Sequence, residues 1–320
     1  MSVLIATPMK NCATELPAYF EALRTLTYPK NQTAISILES DSTDETPALV
    51  LDFLKSFGSE YMQIVFTRKP AGFRAPVDRH EYSIQYARRQ VLAKARNDLI
   101  ASVNLTQFDY VLWLDADSTG YRPSLIEDLI SVNRSIVAPH VVNTIGGHCF
   151  DHNSWLETQP DKVWKQPFGP VMFEGYVGLQ GEEIGHRLYM RHFRQIMDPN
   201  DPFQIVPLHG VGTAVLLVEA KVHAAGINFP VNPYKRRIES EGFGLWANDA
   251  GYSAWGLPLY EVAHINAFDL AKEAARGETN DSFEAHSLPL IVSLLGIFAY
   301  FYFGIHKRLL AYVLNYKRQR

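Results

Sequence analysis

Tyr110–Gly120, YVLWLDADSTG, decides the fold class of the chain. Tyr110, Val111, Leu112, Trp113 and Leu114 are an unbroken apolar run rich in β-formers, the pattern of a strand covered on both faces, as in a parallel sheet. In open α/β sheets ligands bind beyond the carboxyl ends of the strands, which is where Asp115 and Asp117 fall. Residues i and i+2 of an extended segment point to the same side, so both carboxylates can face one hard cation. An ion held there could bridge to the phosphates of a nucleotide and stabilise a departing diphosphate. Two aspartates opening a loop also suit turn chemistry or a helix cap, so the flanking sequence has to decide.

On the amino-terminal side, Val3 to Ala6 reads as a strand ending in Thr7-Pro8-Met9-Lys10, and Asn11 to Leu26 carries a helical pattern. Ala34 to Leu38 is a second strand, followed by Ser40 and Asp41. Asp41 is either a turn residue or an acceptor for a ribose hydroxyl or a base. Ser42 and Glu45 have capping-box spacing for a helix that buries Leu49, Val50, Phe53, Leu54 and Phe57. Tyr61 to Phe66 is a third strand, completing the first half of a doubly wound α/β layer. After the loop 68–80, Glu81 to Ala101 is a long helix in which Arg89 and Arg96 share a face, with Arg88 beside it. Arginine forks suit phosphate oxygens, although arginines on a helix also make ordinary solvated faces.

On the carboxyl-terminal side, a helix from Pro123 to Ile130 and a strand from Ser135 to Pro139 continue the alternation. Residues 140–200 are irregular and rich in Gly, Pro, His and aromatics. Trp155, Trp164, Phe168 and Tyr176 could stack on sugar rings or bury the loop against the sheet. His148, Asp151 and His152 resemble a metal cluster, but at no zinc-site spacing. Leu208 to Ala220 returns to strand character after two glycines, Glu239 to Ala250 looks helical, and Gly256 to Asn266 is a last strand carrying His264. That histidine is either a structural residue or a third ligand for an ion that Asp115 and Asp117 cannot cage alone.

The composition is that of a globular protein: 320 residues, 47% hydrophobic and 20% charged, enough for one large domain or two small ones. A net charge of −4, with no basic patch outside the tail, excludes a nucleic-acid footprint. Cys12 and Cys149 are too few for a disulfide framework and fit a reducing compartment. Met1 leads straight into a strand, so no signal peptide is expected. Residues 288–305, LPLIVSLLGIFAYFYFGI, contain no charge, and the basic stretch after them carries an apolar stripe. This tail is expected to anchor the chain as a re-entrant or monotopic segment on the cytoplasmic face of a membrane, with a buried hairpin that makes a homo-oligomer as the alternative.

RHEYSIQYARRQVLAKARNDLI, YVLWLDADSTGYRPSLIEDLI, FDHNSWLE, GVGTAVLLVEAKVHAAGINFP and ESEGFGLWANDAGYSAWGLPLYEVAHIN together resemble the Anp1/Mnn9/Van1 family of α-mannosyltransferases, in the same order from Val3 to Asn266. The resemblance implies a GT-A glycosyltransferase fold, a single Rossmann-like mixed sheet flanked by helices. It also implies a GDP-mannose donor, a Mn²⁺ (or Mg²⁺) ion and retention of anomeric configuration. By motif match Asp115 and Asp117 take the metal and diphosphate positions and His264 the distal metal ligand. Arg89, Arg96 and Asn97 match the basic helix, and Glu241 the Glu-Gly-Phe loop near the reacting sugar. Two departures stand out. The family carries an amino-terminal anchor, whereas the apolar segment here is at the other end, and Gly212 runs directly into Thr213 where the family has Gly-Gly-Thr.

The expectation is therefore a catalytic domain over 1–270, with a nucleotide-binding half 1–120 and an acceptor-binding half 121–270, then a linker 271–287 and a membrane-anchoring tail 288–320. Thr7, Pro8, Asp41, Arg89, Arg96, Asn97 and Asp115 would bind the nucleotide sugar. Asp115, Asp117 and His264 would hold the ion, and Glu241, Asp117 and Arg89 would act at the reaction centre. The acceptor would be a lipid-linked or oligosaccharide glycan. Alternatives are transfer from a UDP-sugar, a non-catalytic glycan-binding protein at a membrane, and a nucleotidyltransferase. The last should have a glycine-rich loop after the first strand, and Ala6-Thr7-Pro8-Met9-Lys10 has no glycine.

Overall fold

The computed structural model describes residues 1–73, 81–158 and 187–264, all within one compact unit. The linker and tail expected from 271 onward lie outside them, as do Trp164, Phe168 and Tyr176. Among the described residues no helix is long and apolar enough to cross a membrane.

The amino-terminal half follows the alternation expected of it. Strand β1 (Val3–Met9), helix α1 (Leu16–Thr25), β2 (Thr33–Glu39), α2 (Thr46–Phe57), β3 (Gln63–Arg68), α3 (Gln85–Ala101) and β4 (Tyr110–Leu114) alternate along the chain. β1 lies between β2 and β4, parallel to both, and β3 adds to β2 in the same sense. Val111, Leu112, Trp113 and Leu114 are fully buried. Leu112 and Leu114 join the core under α1, α2 and α4 (Leu125–Ser131), whereas Trp113 turns to the other face and packs edge-on to Phe229. That is the period-2 alternation of a strand buried on both sides.

Only one flank of β4 is parallel. Its other neighbour is β10 (Val215–Glu219), which runs antiparallel to β4 and to β6 (Ile136–Val142). The long β11 (Ala254–His264) pairs parallel to β6 and antiparallel to both β5 (Ser118–Gly120) and β9 (Val206–Leu208). The spatial order is β3-β2-β1-β4-β10-β6-β11-β5, a mixed sheet. An apolar run reports burial on both faces and not the direction of the neighbouring strand, and the mixed sheet is the one that the resemblance implies. The strand expected after the two glycines of 208–220 is β10, and the short β9 (Val206–Leu208) precedes them.

Two smaller strands and three helices complete the frame: β7 (Trp155–Glu157) pairs with β8 (Arg187–Tyr189), and α5 (Met190–Phe193), α6 (Ala220–Ala224) and α7 (Glu239–Asp249) follow in order. The capping box expected at Ser42 and Glu45 does not form. No side chain caps α2 at Glu45. The Ser42 hydroxyl instead accepts the Asn11 N–H at 3.0 Å, and Asp44 accepts those of Ala13 at 3.0 Å and Thr46 at 3.1 Å. These short polar side chains satisfy the backbone of the loop after β1, so the loops at the ends of β1 and β2 are stapled together.

Candidate active site

β4 delivers Asp115 to the carboxyl edge of the sheet, where its N–H donates to Ala214 O at 2.9 Å. The chain then turns: the Ser118 N–H reaches Asp115 O at 3.0 Å, so residues 115–118 form a turn before β5. The expectation of an extended segment with i and i+2 on one side is corrected here. It is the turn that presents Asp117, and its Oδ1 lies 3.0 Å from Nε2 of His264 at the end of β11. Asp115, Asp117 and His264 are thus brought to one corner of the site. The Phe150 ring stacks on the imidazole at 3.6 Å between centroids and 16° between planes, which fixes its orientation.

Burial pushes the Asp115 carboxyl up to about 6, Arg96 pulls it back, and the like charge of Asp117 adds to the rise. Two crowded carboxylates with a neutral-capable imidazole make a donor set that suits a Mn²⁺-type cation, whose charge would relieve that crowding. Among the described residues no three such side chains form a ready-made cage. The donors fit the ion in chemistry, and His264 and Asp117 would exchange their mutual contact for it.

Arg89 and Arg96 do share a face of α3, and both are taken by one carboxylate that the sequence had not singled out. Arg89 Nη1 donates to Glu239 Oε2 at 2.8 Å and Arg96 Nη1 to Glu239 Oε1 at 2.5 Å, with the Ser240 hydroxyl on Oε2 at 3.1 Å. Burial would raise the Glu239 carboxyl, but Arg96 and Arg89 outweigh it and hold it down at about 2. Arg96 Nη2 also stands 3.4 Å from Asp115 Oδ1. Asn97 braces the backbone at Phe229: its amide nitrogen donates to Phe229 O at 2.9 Å and its amide oxygen accepts the Phe229 N–H at 3.0 Å. Asn97 also lines the cavity between β2, β3 and α3, where its amide keeps a second N–H beyond this pair.

The Thr7 hydroxyl is fully buried and shares a 2.5 Å hydrogen bond with Tyr19, so Thr7 is part of the core and not a ligand of the nucleotide. Pro8, in the same strand, is half-buried beside it. Asp41, in the left-handed region at φ 56°, accepts the N–H groups of Ala71 and Gly72 at 2.9 and 3.0 Å. It latches the loop after β3. Next to that latch, the ends of β2 and β3 and the face of α3 line a cavity of 260 Å³, with Leu38, Ser40, Pro70, Val91, Lys94 and Asp98 in its walls.

Glu241 is buried and pairs with Arg237 at 3.1 Å. Arg237 in turn lies over the Trp155 ring at 5.3 Å, so Trp155 is a buried support and not a platform for a sugar. Burial pushes the Asp151 carboxyl up to about 6, opposed by the Asn153 N–H and by Arg89. The carboxylate sits directly over Gly212, where a Cβ would come within 1.4 Å of it. His152 touches Arg191 at 3.3 Å, and His148, Asp151 and His152 form no metal cluster among the described residues.

Glu239 is the site residue that sequence reasoning missed, and Asp151, singled out only beside His148 and His152, instead sits by Arg89 and Gly212. Glu239 stands two residues before Glu241 in the quoted motif, but its partners are 143 and 150 residues away, and no local spacing reveals that.

Residues 1–233 match the Anp1 family. The chain belongs to the Anp1 family. Among its Anp1 relatives, the mannan polymerase complex subunit MNN9 of Candida albicans is 33% identical over 284 residues, covering 82% of this chain and 74% of the relative. The mannan polymerase II complex anp1 subunit of Schizosaccharomyces pombe is 29% identical over 280 residues, covering 82% of this chain and 64% of that one. The chain therefore spans less than two thirds of that Anp1 relative's length. The mannosyltransferase PcManGT from Pyrobaculum calidifontis, solved with GDP-Man and Mn2+, is 12% identical with a TM-score of 0.47, over 83% of this chain and 56% of that one. That value is too low for a shared fold to be inferred from it.

Proposed function

We propose that this Anp1-family chain is a metal-dependent, retaining glycosyltransferase of GT-A type that moves mannose from GDP-mannose onto a glycan or lipid-linked acceptor. The observation that carries the reading is the turn 115–118 at the end of β4, which sets Asp117 against His264 at 3.0 Å with Asp115 beside it. A divalent cation on Asp115, Asp117 and His264 would supply charge neutralisation for the departing diphosphate.

The protein groups divide the remaining work by position. The cavity between β2, β3 and α3 takes the nucleoside. β2 and β4 are two strand spacings apart, roughly 10 Å, the reach of a ribose and diphosphate lying across β1 towards Asp115. Because Glu239 holds Arg89 and Arg96, neither guanidinium meets the diphosphate as a free cation; both set the shape and charge of the floor beside Asp115. Glu241, fixed by Arg237, orients the acceptor hydroxyl or faces the developing positive charge at the anomeric carbon.

Residues 1–270 form the catalytic domain in this reading, and the tail 288–320 attaches it to the cytoplasmic face of a membrane. The names of the relatives support a place in a multisubunit polymerase, so the partners are other protein subunits as well as the nucleotide sugar.

A thermal-shift panel of GDP-, UDP- and dTDP-sugars with and without Mn²⁺ tests this, because ligand binding to the folded state raises the melting temperature. A shift with GDP-mannose that requires Mn²⁺ is expected. A Mn²⁺-dependent shift with a UDP-sugar alone would keep the chemistry and discard mannose. No shift with any donor would leave a glycan-binding protein.

A further inference from the structure

Arg96 is 4% exposed and lies between two carboxylates. It engages them unequally. Its Nη1 meets Glu239 at 2.5 Å, while its Nη2 stays 3.4 Å from Asp115, well outside the 2.7–2.9 Å usual for a charge-assisted N–H···O bond. Its Nε has no hydrogen-bond partner, so Glu239 supplies the one close counter-charge of a buried guanidinium. Glu239 is itself held from three sides. Arg89 binds its second oxygen, Ser240 adds a hydroxyl, and its N–H donates to Pro230 O at 3.1 Å. Its backbone adopts φ 59°, a left-handed conformation that a glutamate enters only at a cost and that is retained where the surroundings require it. A glycine would suit the backbone, yet the position carries the one side chain that ties both arginines.

We propose that Glu239 is a positioning residue that holds Arg96 off Asp115 and so leaves the Asp115 carboxylate open to a divalent cation. This rests on the metal site of the preceding subsection. Without the Glu239 charge, the buried guanidinium has Asp115 as its nearest carboxylate and closes on it, because a buried charge is strongly driven to a partner. Arg96 then competes with the metal for the same oxygen.

The test is a calorimetric titration of the full chain with Mn²⁺ alone. Glu239→Gln keeps the shape of the side chain and removes its charge. It is expected to weaken Mn²⁺ binding by roughly tenfold or more, the lower end of what loss of a group supporting a metal ligand costs. Removing the competitor as well, in Glu239→Gln/Arg96→Leu, is expected to return the affinity to within about threefold of the parent; a merely structural role for Glu239 would make the double variant worse. Melting curves accompany each titration. If Glu239→Gln does not fold, Glu239→Asp keeps the charge but is one methylene too short to span both arginines, and it should show the same weakening and the same rescue by Arg96→Leu. Unchanged affinity in the single variant, or no rescue in the double, overturns the proposal. Absence of Mn²⁺ binding by the parent chain overturns the metal reading itself, and this inference with it.

Discussion

His264 and Asp117 meet at 3.0 Å, joining the last residue of β11 to the turn that follows β4. The contact closes the sheet around the carboxyl end of β4, because His264 is in register with Ser118 of β5. Phe150 stacks on the face of that imidazole. His264→Ala should therefore lower Mn²⁺ affinity and donor turnover together, and Phe150→Ala, which leaves the ligand but frees its ring, should cost less, on the order of tenfold in metal affinity. Calorimetry with Mn²⁺ ranks the two. Phe150→Ala binding as tightly as the parent chain would show that the stacked ring does not position the histidine.

Gly212 is required for space. Its φ is not in the left-handed region; what matters is that a Cβ would overlap the Asp151 carboxylate, whose Oδ1 accepts the Asn153 N–H at 2.8 Å. Gly212→Ala must push that carboxylate out of its seat, at a cost of about 1–2 kcal/mol of stability. In an Asp151→Ala background the same change should cost less than about 0.5 kcal/mol, since the obstacle is gone. Denaturant titrations of the four proteins measure the coupling. Equal costs in both backgrounds would place the strain elsewhere.

How far the sequence could be read depended on whether the signal was local. The apolar run 110–114, the strand-helix alternation before it and the shared face of Arg89 and Arg96 are local patterns, and they appear in the structure with shifted ends. The two glycines of the 209–214 segment could be seen but not explained, because Gly210 faces Trp155 and Gly212 faces Asp151, residues more than 50 positions away. The same distance hid the roles of the arginines. A helix face with two guanidiniums looks like a phosphate site until the carboxylate that fills it, Glu239, arrives from the far end of the chain. Thr7 departs from its expected role for the complementary reason. A polar residue near a strand end suggests a ligand, but the Thr7 hydroxyl is satisfied internally, by Tyr19.

Asp41 offers a test of the latch beside the cavity. Its carboxylate accepts two successive backbone N–H groups, from Ala71 and Gly72, and so fixes the loop that supplies Pro70 to the cavity wall. Asp41→Ala removes both bonds and places alanine at a left-handed φ, costing about 1–2 kcal/mol. Asp41→Asn tolerates the backbone and keeps one acceptor. GDP affinity, measured by calorimetry with Mn²⁺ present, should fall several-fold in the alanine variant and much less in the asparagine variant, while Mn²⁺ affinity alone stays unchanged. A parallel loss of Mn²⁺ affinity would mean that the loop supports the metal corner and not the nucleoside.

His223 gives the fold a dependence on pH. It lies in the core against Trp113, Phe229 and Phe243, accepts the Trp113 Nε1–H at 3.2 Å, and places Nδ1 3.0 Å from Ile227 O. Burial lowers its pKa to about 4, against partial opposition from Ile227 and Asn228. A histidine with a depressed folded pKa is neutral in the fold and protonates first in the unfolded chain. Its contribution is complete above about 6.5 and is lost as pH falls towards 4, up to roughly 3 kcal/mol over that window. His140 and His209 are lowered to about 4 as well, also by burial first, and add to the loss. Asp151, raised to about 6, works against it, because a carboxyl that is costly to ionise in the fold is relieved as pH drops. Glu239, held near 2, contributes little change until the pH is lower still. Comparison of the parent chain with His223→Gln isolates the histidine, since glutamine can accept from Trp113 but does not titrate. The variant should be less stable at pH 7.5, and the gap should narrow by about 2 kcal/mol by pH 4.5 in urea titrations. A gap that stays constant across that range would mean that His223 does not carry the pH dependence.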